Sequence, residues 1–207
     1  MSAKTEQKEQ SHETILESAA RLVRERGIAG AGVAQVMKGA GLTVGGFYAH
    51  FVSKEALIDE ALRRTGMRMR ERLFDKIDDK PKSDRAEVLL KRYLSVGNRD
   101  QTTLGCPLPA VVGEIGSTAP EHAFVLSEQV GALAKEMEKH LPEETSELTP
   151  KHLALGLVAL MYGGLSLARA VRGAPLSDEM LKACRAVGKL VVRPARKPGL
   201  GSKQKSP

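Results

Sequence analysis

Apolar residues recur at helical spacing through most of this chain, beginning with a stretch that ends at Gly27. Positions three and four residues apart share one face of a helix, and a terminal glycine can adopt the left-handed conformation that closes a helix. Ser11 is a suitable N-cap for this stretch. The pattern predicts a first helix between Ser11 and Gly27, with an apolar face made of Ile15, Leu16, Ala19, Ala20, Leu22 and Val23.

Two short helical segments follow, at about residues 33–39 and 44–50, on either side of a glycine-containing turn at 39–42. The small residues of this turn let the two segments approach each other. Ser53 then precedes a longer apolar-periodic run that continues to Pro81. A long helix capped by Ser53 is therefore expected.

Further helices are predicted wherever a capping residue stands before an apolar-periodic run, which gives about nine helices and no credible strand. The apolar residues are mostly Ala, Leu and Val, and the aromatic residues are four Phe, three Tyr and no Trp. Closely packed helices suit this composition better than a sheet sandwich does. The predicted fold class is all-α, and the later helices start near Asp84, Cys106-Pro107, Thr118, Thr149 and Ser177.

The formal net charge of +7 is concentrated at one end, because residues 180–207 contain eight basic residues and no acidic one. Overall basicity is therefore weak support for nucleic-acid binding. Residues 193–207 are interpreted as a disordered basic tail, since a Pro/Gly/Ser-containing end of this kind is usually solvated. An auxiliary arm that contacts phosphate is the alternative.

Several classes of function find no support in the pattern. The two cysteines, Cys106 and Cys184, are too few for a metal cluster or a disulfide framework, which fits a reducing cytoplasm. The N-terminus lacks the apolar core of a secretion signal. The uncharged run 153–168 is shorter than the roughly 20 residues of a membrane span and favours a buried interface helix. No paired carboxylates, nucleophile set or phosphate loop indicates an enzyme, so no catalytic residue, metal or cofactor is predicted.

The segment that is most informative about function is 32–57, in which the second short helix presents polar side chains. Thr43 is placed to cap that helix, where a hydroxyl and free backbone N–H groups can meet a phosphate. Tyr48 and His50 follow with further donors, and Lys54 opens the long helix with an ammonium group. These four side chains can lie along one DNA backbone.

Small residues stand at the front of the same short helix: Val44, Gly45 and Gly46. Their size lets the helix axis sit deep in a major groove. The alternative is a plain loop, because a glycine pair forms helix poorly. The neighbouring Phe47 and Phe51 are interpreted as core residues that hold a small domain together.

The same residues resemble the N-terminal signature of the TetR family of bacterial transcriptional regulators. That signature reads A-G-(V/L)-(S/T)-x-G-x-(hydrophobic)-Y-x-(Y/H)-F-x-S-K-E-x-L. It is matched here by Ala40-Gly41-Leu42-Thr43, Gly45, Phe47-Tyr48, His50-Phe51, Ser53-Lys54-Glu55 and Leu57.

The resemblance implies a three-helix DNA-binding domain at residues 1–53 and a ligand-binding and dimerisation domain at 54–192, which begins with a linking helix. It also implies phosphate contacts from Thr43, Tyr48, His50 and Lys54, and base contacts from Val44, Gly45 and Gly46. Three positions depart from the usual pattern and leave the operator sequence open: Gly32 at a common capping Thr, Met37 at a usual Ala and Gly46 at a usual Thr or Ser.

The helices between about residues 84 and 192 are expected to supply a ligand pocket and a dimer interface. Aromatic and Met residues at helical spacing are core residues more often than ligand contacts, and that alternative stays open for each candidate. The last two helices present more apolar surface than one partner covers, which predicts a homodimer. The candidate pocket residues are Tyr93, Phe124, Met161 and Tyr162.

Cys106 precedes Pro107 at the start of a helix, where the partial positive charge lowers a thiol pKa and favours the thiolate. This makes Cys106 a candidate sensor of oxidants or electrophiles, and an inert buried thiol is the alternative.

Three functional hypotheses follow. The leading one is a cytoplasmic repressor that holds a double-stranded DNA operator as a homodimer until an unknown small-molecule inducer releases it. The second switches the same repressor through Cys106. The third, from another class, is a helical lipid- or membrane-associating protein built around residues 153–171.

Overall fold

The computed structural model describes residues 3–101, 105–142 and 148–192, so the predicted basic tail at 193–207 lies outside the described residues. Within these ranges every regular element is helical and no strand occurs, which confirms the predicted fold class. The helices are α1 (Ala3–Arg26), α2 (Val33–Gly39), a first 3-10 helix (Val44–Ala49), α3 (Lys54–Phe74), α4 (Lys82–Tyr93), α5 (Val96–Asp100), α6 (Leu108–Ile115), a second 3-10 helix (Pro120–His122), α7 (Ala123–Glu138), α8 (Pro150–Ala170) and α9 (Pro175–Val191).

Several helix starts differ from the prediction. α4 begins at Lys82 instead of near Asp84, and the second 3-10 helix begins at Pro120 instead of near Thr118. α1 begins at Ala3, and Ser11 lies inside it, because the Lys, Glu and Gln residues before Ser11 are good helix formers that carry the helix outward. α9 begins at Pro175, and Ser177 is a buried residue of its first turn instead of a cap. A proline is well tolerated in the first turn of a helix, because its missing N–H has no partner there anyway.

The ends of α3 were predicted with unequal success. Its start is as predicted, since the hydroxyl of Ser53 accepts a hydrogen bond from the backbone N–H of Ala56 at 3.1 Å. Its end at Phe74 comes earlier than the predicted break at Pro81, because Asp75 leaves the helical conformation with a ψ of 125° and Lys76 follows with a positive φ of 49°. The chain therefore turns before the proline, and α4 packs back against α3.

Two buried cores organise the molecule. The N-terminal core combines α1, α2, the first 3-10 helix and the first half of α3, with Phe47 and Leu57 fully buried. Val111 and Ile115 of α6 belong to the same core. α6 therefore packs against the N-terminal helices although some 80 residues separate it from α1 along the chain.

The second core lies between the end of α3 and the helices α4, α7, α8 and α9. Two glycines permit close helix contacts in it. A Cβ atom on Gly164 would lie 2.6 Å from the sulfur of Cys184, and one on Gly188 would lie 2.7 Å from Cδ1 of Leu90. The absence of a side chain at these positions allows α8 to contact α9 and α9 to contact α4 closely.

One helix, α8 (Pro150–Ala170), is long and apolar enough to cross a membrane if length and composition are the only criteria. A single helix of this kind is weak evidence, because core helices of soluble proteins pass the same test. Leu153, Leu157 and Met161 on one of its faces are buried in the second core. Leu155 and Leu167 remain exposed, so α8 has an apolar face that no described residue covers.

A cavity of about 450 Å³ opens where α3 ends and α4 is followed by α5. Its size lies within the range of small-molecule sites in proteins. Met69, Leu73 and Tyr93 form a buried apolar floor, and Arg72 and Arg92 stand on its rim.

Candidate nucleic-acid interface

The turn between α2 and the first 3-10 helix is closed by a left-handed glycine. Gly41 has a φ of +71°, and the backbone N–H of Leu42 donates to the carbonyl of Met37 at 2.9 Å. This conformation costs free energy for a residue with a Cβ atom, whereas glycine adopts it without steric strain. The turn therefore sets the angle between the two short helices.

Phe47 anchors the first 3-10 helix to the N-terminal core. Its ring is fully buried, stacks on Phe51 with 5.9 Å between centroids, and meets Tyr48 edge to face at 5.2 Å. The segment is a 3-10 helix where a short regular helix was predicted, since Gly45 and Gly46 make α-helix unfavourable. The anchoring leaves the opposite side of the segment facing outward.

That outward side carries the predicted base-contacting residues and also Tyr48, a predicted phosphate contact. Val44 is 52% exposed and Tyr48 is 77% exposed. A Cβ atom on Gly45 would meet no other atom within 4 Å, and one on Gly46 would meet only Cε of Met37 at 3.9 Å. The backbone of this segment is thus open to a large partner.

The predicted phosphate-contacting residues surround this open face. Thr43 is the N-cap residue, as predicted, and it is exposed. Its side chain makes no capping hydrogen bond, so the hydroxyl keeps its hydrogen-bonding capacity. Lys54 is the first residue of α3. His50 ends the 3-10 helix, and its Nδ1 is buried without a partner among the described residues. Burial lowers the pKa of His50, and the charges of His12 and Lys8 lower it further, which favours the neutral imidazole.

The candidate pocket residues do not form one group. Tyr93 lines the cavity, whereas Met161 is fully buried in the second core and Tyr162 packs against that core. Phe124 is 71% exposed, so its assignment as a pocket wall is wrong. The buried face of α7 begins at Val125, and adjacent residues of a helix point about 100° apart.

Cys106 is buried against Tyr93 in the second core. Burial raises the pKa of its thiol and outweighs the Tyr93 and Leu108 contacts and the arginine charges that lower it. The expectation of a lowered pKa at the helix start is therefore wrong, because loss of hydration dominates over the helix dipole. No group of three or more potential metal ligands occurs among residues 3–101, 105–142 and 148–192.

Two further groups were missed by the sequence analysis. The carboxylate of Glu114 in α6 accepts hydrogen bonds from the backbone N–H groups of Ile28 at 3.2 Å and Ala29 at 2.7 Å. Arg72 and Arg92 stand on the rim of the cavity. No local pattern signals either group, because their partners lie far away in the chain.

A short helix, a glycine turn and a second helix that exposes one face define a helix-turn-helix protein, here joined to a helical bundle. Residues 15–61 match the family model described as bacterial regulatory proteins, tetR family. Residues of this chain are 45% identical over 49 positions to the HTH-type transcriptional repressor KstR2 of Mycobacterium tuberculosis. That match covers 24% of this chain and 24% of the relative, so it spans about a quarter of either protein.

The fold extends the similarity over most of the chain. The reduced form of Escherichia coli NemR superposes with a TM-score of 0.76 at 22% identity, over 90% of this chain and 99% of that one. A TetR transcriptional regulator from Chloroflexus aurantiacus superposes with a TM-score of 0.73 at 24% identity, over 92% and 100%. The match to the TetR family model thus covers the N-terminal helices, and the superpositions show that most of the chain shares the fold of these regulators.

Proposed function

We propose that this protein is a cytoplasmic transcriptional repressor that holds a pseudo-palindromic DNA operator as a homodimer and leaves it when a small-molecule inducer binds. Regulators of this family are DNA-binding proteins and not enzymes. The observation that carries the proposal is the open side of the first 3-10 helix, where the exposed Tyr48 and Val44 stand above the buried Phe47. A short helix anchored from behind and open in front suits entry into a major groove.

The contacts around that helix divide by role. Val44, Gly45 and Gly46 face the base edges, and their small size allows close approach. Thr43, Tyr48, His50 and Lys54 are proposed to contact the phosphate backbone and to fix the orientation of the helix. The repressor activity named for the Mycobacterium tuberculosis relative supports the direction of regulation.

Combined replacement of Tyr48 by Phe and Lys54 by Ala is expected to weaken DNA binding at least tenfold, because two phosphate contacts are lost in each protomer. The loss is expected for every duplex tested, and the dependence of affinity on salt concentration becomes shallower as well. Fluorescence anisotropy over a range of salt concentrations measures both, with a duplex that the wild-type protein selects from a random pool.

Lys80→Ala serves as the charge-matched control, because Lys80 is exposed in the connection between α3 and α4. This variant should bind the selected duplex with wild-type affinity. If the double variant binds as tightly as the control, or if the wild-type protein selects no duplex, the proposed function is refuted.

The homodimer is proposed to form through α8 and α9. Both helices expose large apolar side chains that no described residue covers, which is unusual for the surface of a monomer. Pairing of this face with its own copy buries it with two-fold symmetry. The residues are Leu155 and Leu167 of α8 and Val187, Leu190 and Val191 of α9.

Leu190→Glu is expected to weaken dimerisation at least tenfold, since an unpaired carboxylate would be buried in the interface. Leu190 is 66% exposed in the single chain, so the monomer fold tolerates the change. Light scattering coupled to gel filtration across a dilution series measures the shift. Val96→Glu is the control, because Val96 is similarly exposed but lies on α5. Equal behaviour of the two variants would rule out this interface.

The cavity beside α3 is the proposed inducer site, and α3 links it to the DNA-binding helices. Lys54 opens α3 and Arg72 lies in its last turn, about 27 Å apart at the usual helical rise. A ligand that prefers one position of α3 can shift the equilibrium between the DNA-bound and free forms. The Cys106 alternative is disfavoured, because a buried thiol with a raised pKa is a poor target for oxidants.

A further inference from the structure

The arginines of α3 differ in whether they have a partner. Four of the five make a polar contact with a side chain of another helix: Arg63 with Glu128 at 3.0 Å, Arg64 with Glu13 at 2.6 Å, Arg68 with Glu17, and Arg70 with Gln129 at 2.8 Å. Arg72 makes no hydrogen bond or ion pair with any described residue. It is also the one arginine of this helix that lines the cavity.

A second guanidinium is held on the same rim. One nitrogen of Arg92 donates to the carbonyls of Leu73 and Asp75, at 2.7 Å in both cases. These bonds satisfy the free carbonyls at the end of α3 and fix the Arg92 side chain beside the cavity. The remaining guanidinium N–H groups of Arg92 make no hydrogen bond or ion pair with the part of the chain that the structure describes.

The charge on the cavity wall is positive in balance. Asp75 supplies the one carboxylate among the lining residues, and it forms no ion pair with any described side chain. Tyr93 also lines the cavity, and its hydroxyl is buried next to the thiol of Cys106 without a hydrogen bond of normal geometry. A buried hydroxyl without a partner is costly unless a ligand or water satisfies it.

We infer that the cavity binds an amphipathic organic anion, with its carboxylate or phosphate between Arg72 and Arg92 and its apolar part on the floor of Met69, Leu73 and Tyr93. Guanidinium groups suit both acids, because their donors match the oxygen geometry of each. The inference rests on the proposed function only in naming this anion as the inducer. Binding of the anion to the cavity does not depend on DNA.

Arg72 also connects the cavity to the DNA-binding domain. It lines a second crevice, of about 200 Å³, together with Arg24 from the last turn of α1. Arg24 is 7% exposed, and its Nε has no hydrogen-bond partner among the described residues. Burial lowers the pKa of Arg24 most. The charge of Glu17, which also lines this crevice, raises that pKa, and the repulsion from Arg68 and Arg72 lowers it. An anion at Arg72 weakens this repulsion and so changes the interaction of α3 with α1.

The inference is tested with size-matched pairs of ligands and without DNA. Straight-chain and phenyl-substituted carboxylic acids of six to twelve carbons are compared with their primary amides, and alkyl phosphates of the same length form the second arm. Isothermal titration calorimetry measures affinity and thermal denaturation measures stabilisation. We expect at least one acid or phosphate to bind at least tenfold more tightly than its uncharged analogue, and the arm that binds identifies the acidic group.

Arg72→Gln is expected to lower the affinity for that anion at least tenfold and to leave the affinity for the amide unchanged. Arg63→Gln is the matched control, because it removes the same charge from α3 at a position paired with Glu128, away from the cavity. The inference is overturned if amides bind as well as acids, if neither arm binds, or if Arg72→Gln behaves like the control.

A mobility-shift assay with the selected duplex separates this inference from the proposed function. An anion that binds through Arg72 but does not release the protein from DNA supports the site and contradicts its role in induction. Release of DNA by uncharged compounds alone contradicts the anion site and leaves the repressor proposal standing.

Discussion

Gly27→Ala is expected to lower the free energy of unfolding by about 2–4 kcal/mol, through backbone strain and the loss of charged hydrogen bonds. Gly27 has a φ of +72°, which strains any residue that has a Cβ atom. That Cβ atom would also lie 1.7 Å from Oε1 of Glu114. The carboxylate must therefore move away from the backbone N–H groups of Ile28 and Ala29, to which it is bonded.

Gly41→Ala separates the two causes. Gly41 has nearly the same φ, +71°, but a Cβ atom there would meet nothing within 4 Å. Its replacement is therefore expected to cost only the backbone strain, about 1–2 kcal/mol. Chemical denaturation measures both variants. Equal losses would mean that the Glu114 contact contributes nothing to stability.

Hydrogen exchange gives a local reading of the same contact. The amides of Ile28 and Ala29 are expected to exchange faster in Gly27→Ala, because their acceptor is displaced. These amides connect the end of α1 to α6, which is one of the contacts between the N-terminal helices and the second half of the chain. Unchanged exchange at both amides would contradict this account.

Phe47→Ala is expected to lower the free energy of unfolding by about 3–5 kcal/mol, the usual loss when a buried aromatic ring is deleted. Phe47 is fully buried and stacks on Phe51, so its removal leaves a hole behind the first 3-10 helix. Specific DNA binding should be lost with it, since the helix no longer has a support. Thermal denaturation and anisotropy with the selected duplex measure the two effects.

The neighbouring aromatic residue provides a control with the opposite pattern. Tyr48 is 77% exposed, so Tyr48→Ala should cost less than about 1 kcal/mol of stability, as exposed substitutions usually do. It should nevertheless weaken DNA binding at least tenfold. If Tyr48→Ala is as unstable as Phe47→Ala, the assignment of one ring to the core and the other to DNA is wrong.

Much of the proposed DNA-binding surface was predictable from sequence, because this surface is built from residues that are neighbours in the chain. The turn at Gly41, the cap at Ser53 and the buried Phe47 each depend on residues a few positions away. The spacing of residues within a short segment was therefore enough to predict these three features. Long-range contacts enter this surface at few points, such as the ring of His12 stacked on Phe51 at 4.4 Å.

The positions of residues in the helices after α3 were predicted less well. Phe124 and Tyr93 are both aromatic residues at helical spacing, yet one is exposed and the other lines the cavity. Which face of a helix is buried depends on the helices around it. Cys106 is a second example. Its position before a helix predicts a lowered thiol pKa and a reactive thiol, whereas its burial in the folded chain raises that pKa.

From its sequence alone, this protein is determined to be all-α, to carry a helix-turn-helix of the TetR type and to start α3 at Ser53, because caps, glycine turns and apolar periods act within a few residues. The tertiary structure alone decided that α6 contacts α1 through Glu114, that Arg72 faces a cavity without a partner, and that Cys106 is shielded from water. These features bring together segments that are distant in sequence. Their effects on pKa and on hydrogen bonding depend on burial, which only the folded chain determines.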